Sequence, residues 1–115
     1  MDATLTTISG NGTTGTNTAA VVLAESPTIS TSVIINGAAA TNRELAFQTS
    51  ASNRWITRIN STAESGSNAG SDFLLLSRDD TGASLNANVL FIKRSSGNVL
   101  INTATDNGND KLQVN

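Results

Sequence analysis

The chain has 115 residues with no histidine and no cysteine, so it has no imidazole base, no thiolate nucleophile, no disulfide and no metal site built from those side chains. A net charge of only −2, seven scattered Lys and Arg, and a longest apolar run of six residues argue against nucleic-acid binding and membrane insertion. Leu, Ile, Val and Phe supply 27 residues, whereas Thr, Ser, Asn and Gly supply 53, which predicts a polar, turn-rich, all-β chain with a small core.

Residues 1–32 differ in composition from the remainder of the chain. They hold one Asp, one Glu and no Lys or Arg, and Thr, Ser, Gly and Asn dominate. Their apolar residues come in short patches such as Val21–Leu23, none of which is long enough to form a core alone. Two interpretations stay open: a flexible linker if the chain is alone, or a thin β stalk if three chains share the patches.

Residues 33–115 predict a β-rich domain in which short apolar strands alternate with turns. In Arg54–Ile59, the side chains of Trp55, Thr57 and Ile59 share one face of a predicted strand. No stretch of ten residues shows the helical spacing of apolar residues. The other predicted strands are Val33–Ile35, a strand around Leu45 and Phe47, Phe73–Leu76, Val89–Ile92, Val99–Asn102 and Leu112–Val114. Turns or loops are predicted at Asn36-Gly37, Ser50–Asn53, Ser61–Ser71, Asp79–Gly82 and Ser95–Asn98.

A short internal repeat links two of these predicted strands. Ser30–Asn36 and Ser96–Asn102 both read S-x-x-V-[IL]-I-N. Each copy is followed by a polar loop and then by a charged residue with Leu, Glu44-Leu45 in one case and Lys111-Leu112 in the other. The pattern indicates one structural unit followed by the opening of another, although repeat architectures usually need about three units to stack.

The string Asp80–Ser84 reads D-T-G-A-S, which is typical of aspartic proteases. Such an active site needs two aspartates, one per subunit, close enough to share a proton. In this chain Ser77–Asp79 separates the motif from the preceding apolar run, and there is no Gly-rich flap. A surface turn between two strands is the better interpretation.

Three further features of the sequence are candidate sites. Asp106–Asp110 looks like part of a calcium loop, but Gly108 occupies the third position and no bidentate Glu follows, which favours a solvated turn over a weak cation site. A glycosidase needs two carboxyl groups beside an aromatic-rich sugar cleft, and the chain has one Trp, three Phe and no Tyr. The acidic residues available for such a pair are Glu64, Asp72, Asp79 and Asp80. For Trp55, a place in a core or a subunit interface is favoured over sugar stacking.

Three consecutive strings form a recognisable series, namely an R-W strand, an A-E-S-G-S-N-A-G-S-D-F loop and a D-D-T-G turn, at Asn53–Asn60, Ala63–Phe73 and Arg78–Gly82. With these strings the chain resembles bacteriophage tail fibre and tail spike proteins. Its ending, Ser96–Asn102 together with Asp106–Asn115, is similar to the region that precedes an endosialidase-type intramolecular chaperone domain.

The resemblance implies an elongated homotrimer in the virion tail fibre, assembled in the host cytoplasm, that supports or mediates attachment to the bacterial surface. It implies other tail or baseplate proteins as partners and a host surface glycan as the default ligand. It carries over no catalytic, cofactor-binding or metal-binding residue, and no enzymatic activity or cofactor is expected. Two alternatives stay open: a capsid-attached or connecting fibre segment without receptor contact, and a fragment of a polysaccharide-degrading tail spike.

Composition also favours self-association without reference to any family. A single chain with 27 long apolar residues among 115 has only marginal stability. Trimerisation would let each strand bury its second face and would protect the strand edges. The prediction is an all-β, homotrimeric fibre domain of short antiparallel strands. Its shared core is predicted to contain Leu45, Phe47, Trp55, Ile59, Phe73, Leu75, Phe91 and Ile101.

Overall fold

The computed structural model describes residues 30–115, and all regular secondary structure in that range is β. The six strands are β1 (Arg43–Thr49), β2 (Ser52–Ile59), β3 (Phe73–Arg78), β4 (Ser84–Ile92), β5 (Val99–Ile101) and β6 (Leu112–Val114). The all-β prediction is therefore confirmed for this range. No helix that could cross a membrane is found in the part of the chain that the structure describes. The predicted linker or stalk, residues 1–32, lies outside it except for the last three residues.

The six strands form one sheet in chain order, β1-β2-β3-β4-β5-β6. The first five pair antiparallel with their neighbours, whereas β5 and β6 run parallel. The antiparallel pairs need only turns or one polar loop between them, which fits the frequent Gly, Asn and Ser of the connections. The predicted antiparallel strands are thus confirmed, apart from the parallel β6.

The turn between β1 and β2 is tighter than the predicted four-residue loop, Ser50–Asn53. Strand β2 already begins at Ser52, so only Ser50 and Ala51 connect the two strands. Both residues have left-handed backbone conformations, with φ of 50° and 63°. Two consecutive left-handed residues are typical of a type I′ turn, whose twist matches that of the flanking strands.

The buried apolar residues of the sheet lie on one of its faces. The strand register sets Ile56 opposite Leu76, and Leu74 opposite Phe91 and then Leu100. The exposed fractions are 2% for Ile56, 7% for Leu74, 1% for Leu76 and 0% for Leu100. Phe91 is half-buried and packs against this cluster. We call this side the core face.

The eight residues predicted for a shared core are divided between the two faces. Phe91 lies on the core face, so its assignment to the same group as the others was wrong. The other seven share the opposite face, because their registers pair them with one another across the sheet. Side chains alternate along a strand, and Phe91 is one position out of phase with its neighbours Leu90 and Ile92.

Two strand predictions need correction. Val33–Ile35 is not part of any strand, and all three residues are exposed. Strand β4 begins at Ser84 and not at Val89, because polar residues before the apolar run also pair with β3. The backbone of Asn86, for example, lies opposite Ser77. Backbone hydrogen bonds, which every residue type offers, extend this strand beyond its apolar part.

Candidate functional site

The side of the sheet opposite the core face carries a continuous set of apolar side chains. Side chains alternate between the two faces along each strand, so the register determines which residues share this side. One row runs Leu45, Thr57, Leu75, Leu90, Ile101 and Val114 across all six strands. A second row contains Ile59, Phe73, Ile92, Val99 and Leu112, and Phe47 pairs with Trp55 at the end of the first hairpin. We call these residues together the apolar face.

The apolar face is much more open to solvent than the core face. Leu45, Phe47 and Trp55 are 50%, 53% and 44% exposed, and Leu112 and Val114 are 62% and 72% exposed. The residues between them, on β3, β4 and β5, are half-buried. Single exposed apolar residues are common on protein surfaces, but a contiguous set of this extent is typical of an interaction surface.

Charge is nearly absent from the apolar face. Arg43, at one end of β1, is the one charged strand residue that the register places on this side in the described part of the chain. Its Nη2 donates a hydrogen bond to Ser71 Oγ at 3.0 Å. The Glu44–Arg58 ion pair lies on the other side of the same two strands. Identical copies of the apolar face can therefore meet without bringing like charges together.

A small hollow of about 180 Å³ opens at the β1 end of the apolar face. Its lining includes Leu45, Ile59 and Phe73 of the face, together with Ile35 from the segment before β1. Ile35 is 46% exposed, and its neighbour Ile34 is 85% exposed. The apolar surface therefore continues from the sheet onto residues that precede it.

The loop between β2 and β3, predicted as a polar connector at Ser61–Ser71, is fixed by side chains from distant parts of the chain. Arg94 Nε donates to Gly70 O at 2.9 Å, and Arg94 Nη2 donates to Ala69 O at 3.1 Å. The Asp72 carboxylate accepts a hydrogen bond from the Arg94 backbone N–H at 2.8 Å. Glu64 accepts a hydrogen bond from Ser71 Oγ at 2.8 Å. Two of the four acidic candidates for a glycosidase pair, Glu64 and Asp72, are thus bound into this loop.

The other two acidic candidates lie in the turn between β3 and β4, which confirms the turn predicted at Asp79–Gly82. Asp79 Oδ1 accepts hydrogen bonds from the N–H and hydroxyl of Thr81 and from the Ala83 N–H, at 2.7–3.0 Å. The bonds from Thr81 lower the pKa of Asp79. Asp80, the first residue of the protease-like string, is an exposed residue of this turn.

The loop predicted as a solvated turn or weak cation site is organised around one carboxylate. Asp106 accepts hydrogen bonds from Asn98 Nδ2 at 3.1 and 3.2 Å and from the Gly108 N–H at 2.9 Å. Lys93 Nζ lies 3.6 Å from Asp106 Oδ2. The Gly108 hydrogen bond, followed by that from Asn98, lowers the pKa of Asp106. Among residues 30–115, no three acidic side chains lie close enough together to hold a metal ion.

A broad, open hollow of about 470 Å³ lies next to β6. Hydroxyl, amide and carboxyl groups dominate its lining, which includes Thr103, Asn107, Asp110 and Gln113. Trp55 belongs to the apolar face and not to this hollow. A sugar in the hollow would therefore meet hydrogen-bonding groups without an aromatic stacking platform.

Sequence reasoning missed Arg94, Asn98 and the part that Asp106 plays in anchoring its loop. Arg94 bonds to carbonyl groups 24 and 25 residues away, and Asn98 reaches across eight residues. No local pattern marks such contacts. The Asn of the Ser95–Asn98 turn was a detectable turn signal, but its buried side chain, 4% exposed, was not.

Comparison with known proteins gives no relative on which to base a function: no protein-family model matches the chain, and no curated protein matches it. The functional argument therefore depends on the chain's own residues. Among them, the apolar face is the feature that one copy of the sheet leaves without a covering layer in the described range.

Proposed function

We propose that this chain is a structural segment of a trimeric bacteriophage tail fibre or tail spike, with its apolar face packed against two further copies of itself. The observation that carries the proposal is the exposure of that face, including Trp55 at 44% and Phe47 at 53%. An apolar sheet face is stable in water when a second layer covers it. Further copies of the chain supply such a layer.

The energy available from covering the face is comparable to the stability of a domain. Fully burying a large apolar side chain contributes about 1.5–3 kcal/mol, so covering a half-exposed one contributes about 1 kcal/mol. Leu45, Phe47, Trp55, Leu112 and Val114 together would contribute about 5 kcal/mol per chain by this reckoning. Because a whole domain is stable by about 5–15 kcal/mol, assembly would be a large part of the total.

The low charge of the apolar face favours packing against copies of the same chain over packing against a different, charged protein. The face is neutral except for Arg43 at its rim, so charge complementarity offers little to a charged partner. In a cyclic assembly each copy presents the same residues to its neighbours, which needs no second kind of chain. The number three comes from the resemblance of Asn53–Asn60, Ala63–Phe73 and Arg78–Gly82 to tail fibre and tail spike proteins.

In this proposal the chain has a mechanical and multivalent function. Three copies around one axis would give a stiff segment within the virion, joined to other tail or baseplate proteins. Three identical surfaces also convert weak contacts with a host surface glycan into avid attachment, because the second and third contacts form at high effective concentration. A connecting segment would have the same trimeric core and no glycan contact.

A pair of charge substitutions tests the proposal. Leu45→Lys places a charge in the apolar face at a residue that is already half exposed, so it removes no packing from the core face. Ala104→Lys adds the same charge at an exposed residue outside the strands and serves as the control. We expect trimers in native mass spectrometry for the unmodified chain and the control, and monomers for Leu45→Lys. Equal trimer fractions in the two variants would contradict the proposal.

The attachment role is tested separately from assembly. A fluorescent fusion of the trimer should bind cells that display the receptor glycan, and the Leu45→Lys monomer should bind them at least about tenfold more weakly because avidity is lost. A trimer that binds no host cells would identify the connecting segment as the correct role.

A further inference from the structure

The two copies of the S-x-x-V-[IL]-I-N motif have different environments. In the second copy, Val99–Ile101 forms β5, which lies between β4 and β6, and its central Leu100 is 0% exposed. In the first copy, the equivalent central residue, Ile34, is 85% exposed and belongs to no strand. The same apolar motif is therefore buried as a strand in one place and open to solvent in the other.

The second copy is held in place by an anchored loop that the first copy lacks. Asn98, within the motif, donates Nδ2 to both carboxylate oxygens of Asp106 in the loop that follows, at 3.1 and 3.2 Å. Ser32 occupies the position of Asn98. The loop that follows is one residue shorter in the first copy, so the position of Asp106 falls on Ala39 or Ala40, and both are alanine. Alanine has no carboxylate, so no equivalent bond can fix Val33–Ile35 against the strand that follows it in its own chain.

The sheet offers a free edge of the matching kind. Strand β1 pairs with β2 on one side and, among the described strands, with nothing on the other. The Glu44-Leu45 pair that opens β1 corresponds in the repeat to Lys111-Leu112, which opens β6. Strand β6 is the parallel partner of β5. In the repeat, β1 therefore corresponds to β6, and Val33–Ile35 corresponds to β5. By this correspondence, the outer edge of β1 is the place where a parallel strand like β5 would pair.

The register of β5 and β6 determines how the first copy would lie on that edge. Val99 pairs with Leu112, Leu100 with Gln113, and Ile101 with Val114. Transferred to the first copy, this register sets Val33 beside Leu45, Ile34 beside Ala46 and Ile35 beside Phe47.

This register gives each side chain a suitable environment. Val33 and Ile35 would extend the apolar face, since their partners Leu45 and Phe47 belong to it. Ile34 would lie on the core face beside Ala46, which is exposed in one chain and pairs with Ile56. A shift by one residue would reverse both placements, so the apolar pattern supports this register alone.

We infer that residues 33–35 of one copy pair in parallel with the outer edge of β1 in a second copy, so that the trimer is joined by strand exchange as well as by its apolar face. The inference rests on the proposed function, because it requires copies to assemble. Strand addition satisfies the free peptide groups of a sheet edge and at the same time removes an aggregation-prone edge.

Engineered cysteines test the pairing directly, because the chain contains no cysteine of its own. Neighbouring strands bring paired Cα atoms within the range of about 4.4–6.8 Å that a disulfide spans. Ile34→Cys and Ala46→Cys chains, unfolded in urea, mixed, refolded and oxidised, should give covalent dimers in which residue 34 is linked to residue 46. The control mixture of Ile34→Cys with Ala104→Cys should give at least about tenfold less, because its residues are not paired.

The outcomes separate this inference from the proposed function. Trimers in native mass spectrometry without the 34–46 link would overturn strand exchange and leave the proposed function standing. A chain carrying both Ile34→Cys and Ala46→Cys provides a further control: a link that forms within this chain, with none between the mixed single-cysteine chains, would overturn strand exchange as well. Monomers of the unmodified chain would overturn both proposals.

Hydrogen exchange on the unmodified trimer provides a second measurement that needs no substitution. Amides of residues 33–35 should exchange at least about tenfold more slowly than those of the exposed turn residues 95–96, because strand pairing protects them. Equal rates in the two segments would also overturn the inference.

Discussion

The two faces of the sheet differ in how far one chain completes them. On the core face, Leu76 and Leu100 are 1% and 0% exposed, whereas on the apolar face Leu45 and Phe47 are 50% and 53% exposed. Both faces contain Leu, Ile and Phe, so the residue types alone do not account for the difference. The difference teaches that one copy of the sheet encloses only the smaller part of its apolar side chains, and that the larger part is available to a further layer such as the proposed copies would supply.

The loops behave like the core face, since their polar groups find partners within one chain. Arg94 satisfies carbonyl groups of the β2–β3 loop, and Asp106 collects hydrogen bonds from its own loop and from Asn98. Changes in these regions should alter the free energy of unfolding of each chain without changing the number of copies. Changes on the apolar face should lower the number of copies that assemble, and through the loss of assembly they should also lower the free energy of unfolding.

The largest effect is expected on the core face. Leu76→Ala empties a site that is 1% exposed and should lower the free energy of unfolding by about 2–5 kcal/mol, measured by urea denaturation at fixed protein concentration. Its neighbour Leu75 lies on the apolar face. When the two variants are compared under conditions in which equal fractions of each are folded, Leu75→Ala should reduce the trimer fraction more than Leu76→Ala does. Similar trimer fractions in both variants would remove the distinction between the faces.

The next effect concerns two glycines in the β2–β3 loop. An alanine Cβ at Gly70 would clash with the backbone carbonyl oxygen of Ala63, whereas nothing lies within 4 Å of one at Gly66. Both residues have positive φ, so Gly66→Ala should cost about 1–2 kcal/mol for backbone strain alone. Gly70→Ala should cost about 1–3 kcal/mol more because backbone atoms must move. Thermal unfolding compares them, and equal losses would contradict the close packing described for this loop.

Removal of the Arg94 guanidinium should have a comparable or smaller effect. Arg94→Ala takes away donors to Gly70 O and Ala69 O. Hydrogen bonds from a charged group contribute about 1.5–3 kcal/mol when they are buried, and less here because the Arg94 side chain is 41% exposed. Hydrogen exchange should accelerate at residues 69–72 and stay unchanged in β5. Arg94→Lys keeps the charge but not the planar fork, so it should restore only part of the protection.

The smallest effect is a dependence on acidic pH. The folded-state pKa of Asp106 lies below its ordinary value of 3.8, so its contribution to stability is complete above that value. The contribution is lost as the pH falls through the lowered pKa, when the carboxylate is protonated in the folded chain. Asp106→Asn should show a shallower loss of stability between pH 5 and pH 2 than the unmodified chain. Parallel curves would contradict this account of the loop.

Much of the fold was accessible from local patterns. Alternating residues such as Trp55, Thr57 and Ile59 predicted a strand, and turn residues at Asp79–Gly82 predicted the connection that follows β3. The grouping of seven predicted core residues on one face also followed from period-two spacing. These features depend on neighbours along the chain, which a sequence displays directly.

The features that the sequence did not reveal depend on distant partners. The parallel pairing of β6 and the bonds of Arg94 to the β2–β3 loop join residues that lie far apart in the chain. The prediction of a strand at Val33–Ile35 was wrong for the same reason. Its composition suits a strand, but no strand among the described residues pairs with it. Composition specifies what a segment can form, and the available partners decide whether it does.

Sedimentation equilibrium of the unmodified chain at micromolar concentration tests the central claim most directly. The account predicts one species with three times the 11.8 kDa mass of a single chain, together with a Trp55 emission spectrum typical of a buried indole. A cooperatively folded monomer of 11.8 kDa with solvent-exposed Trp55 would contradict it, because the apolar face would then be stable without a covering copy.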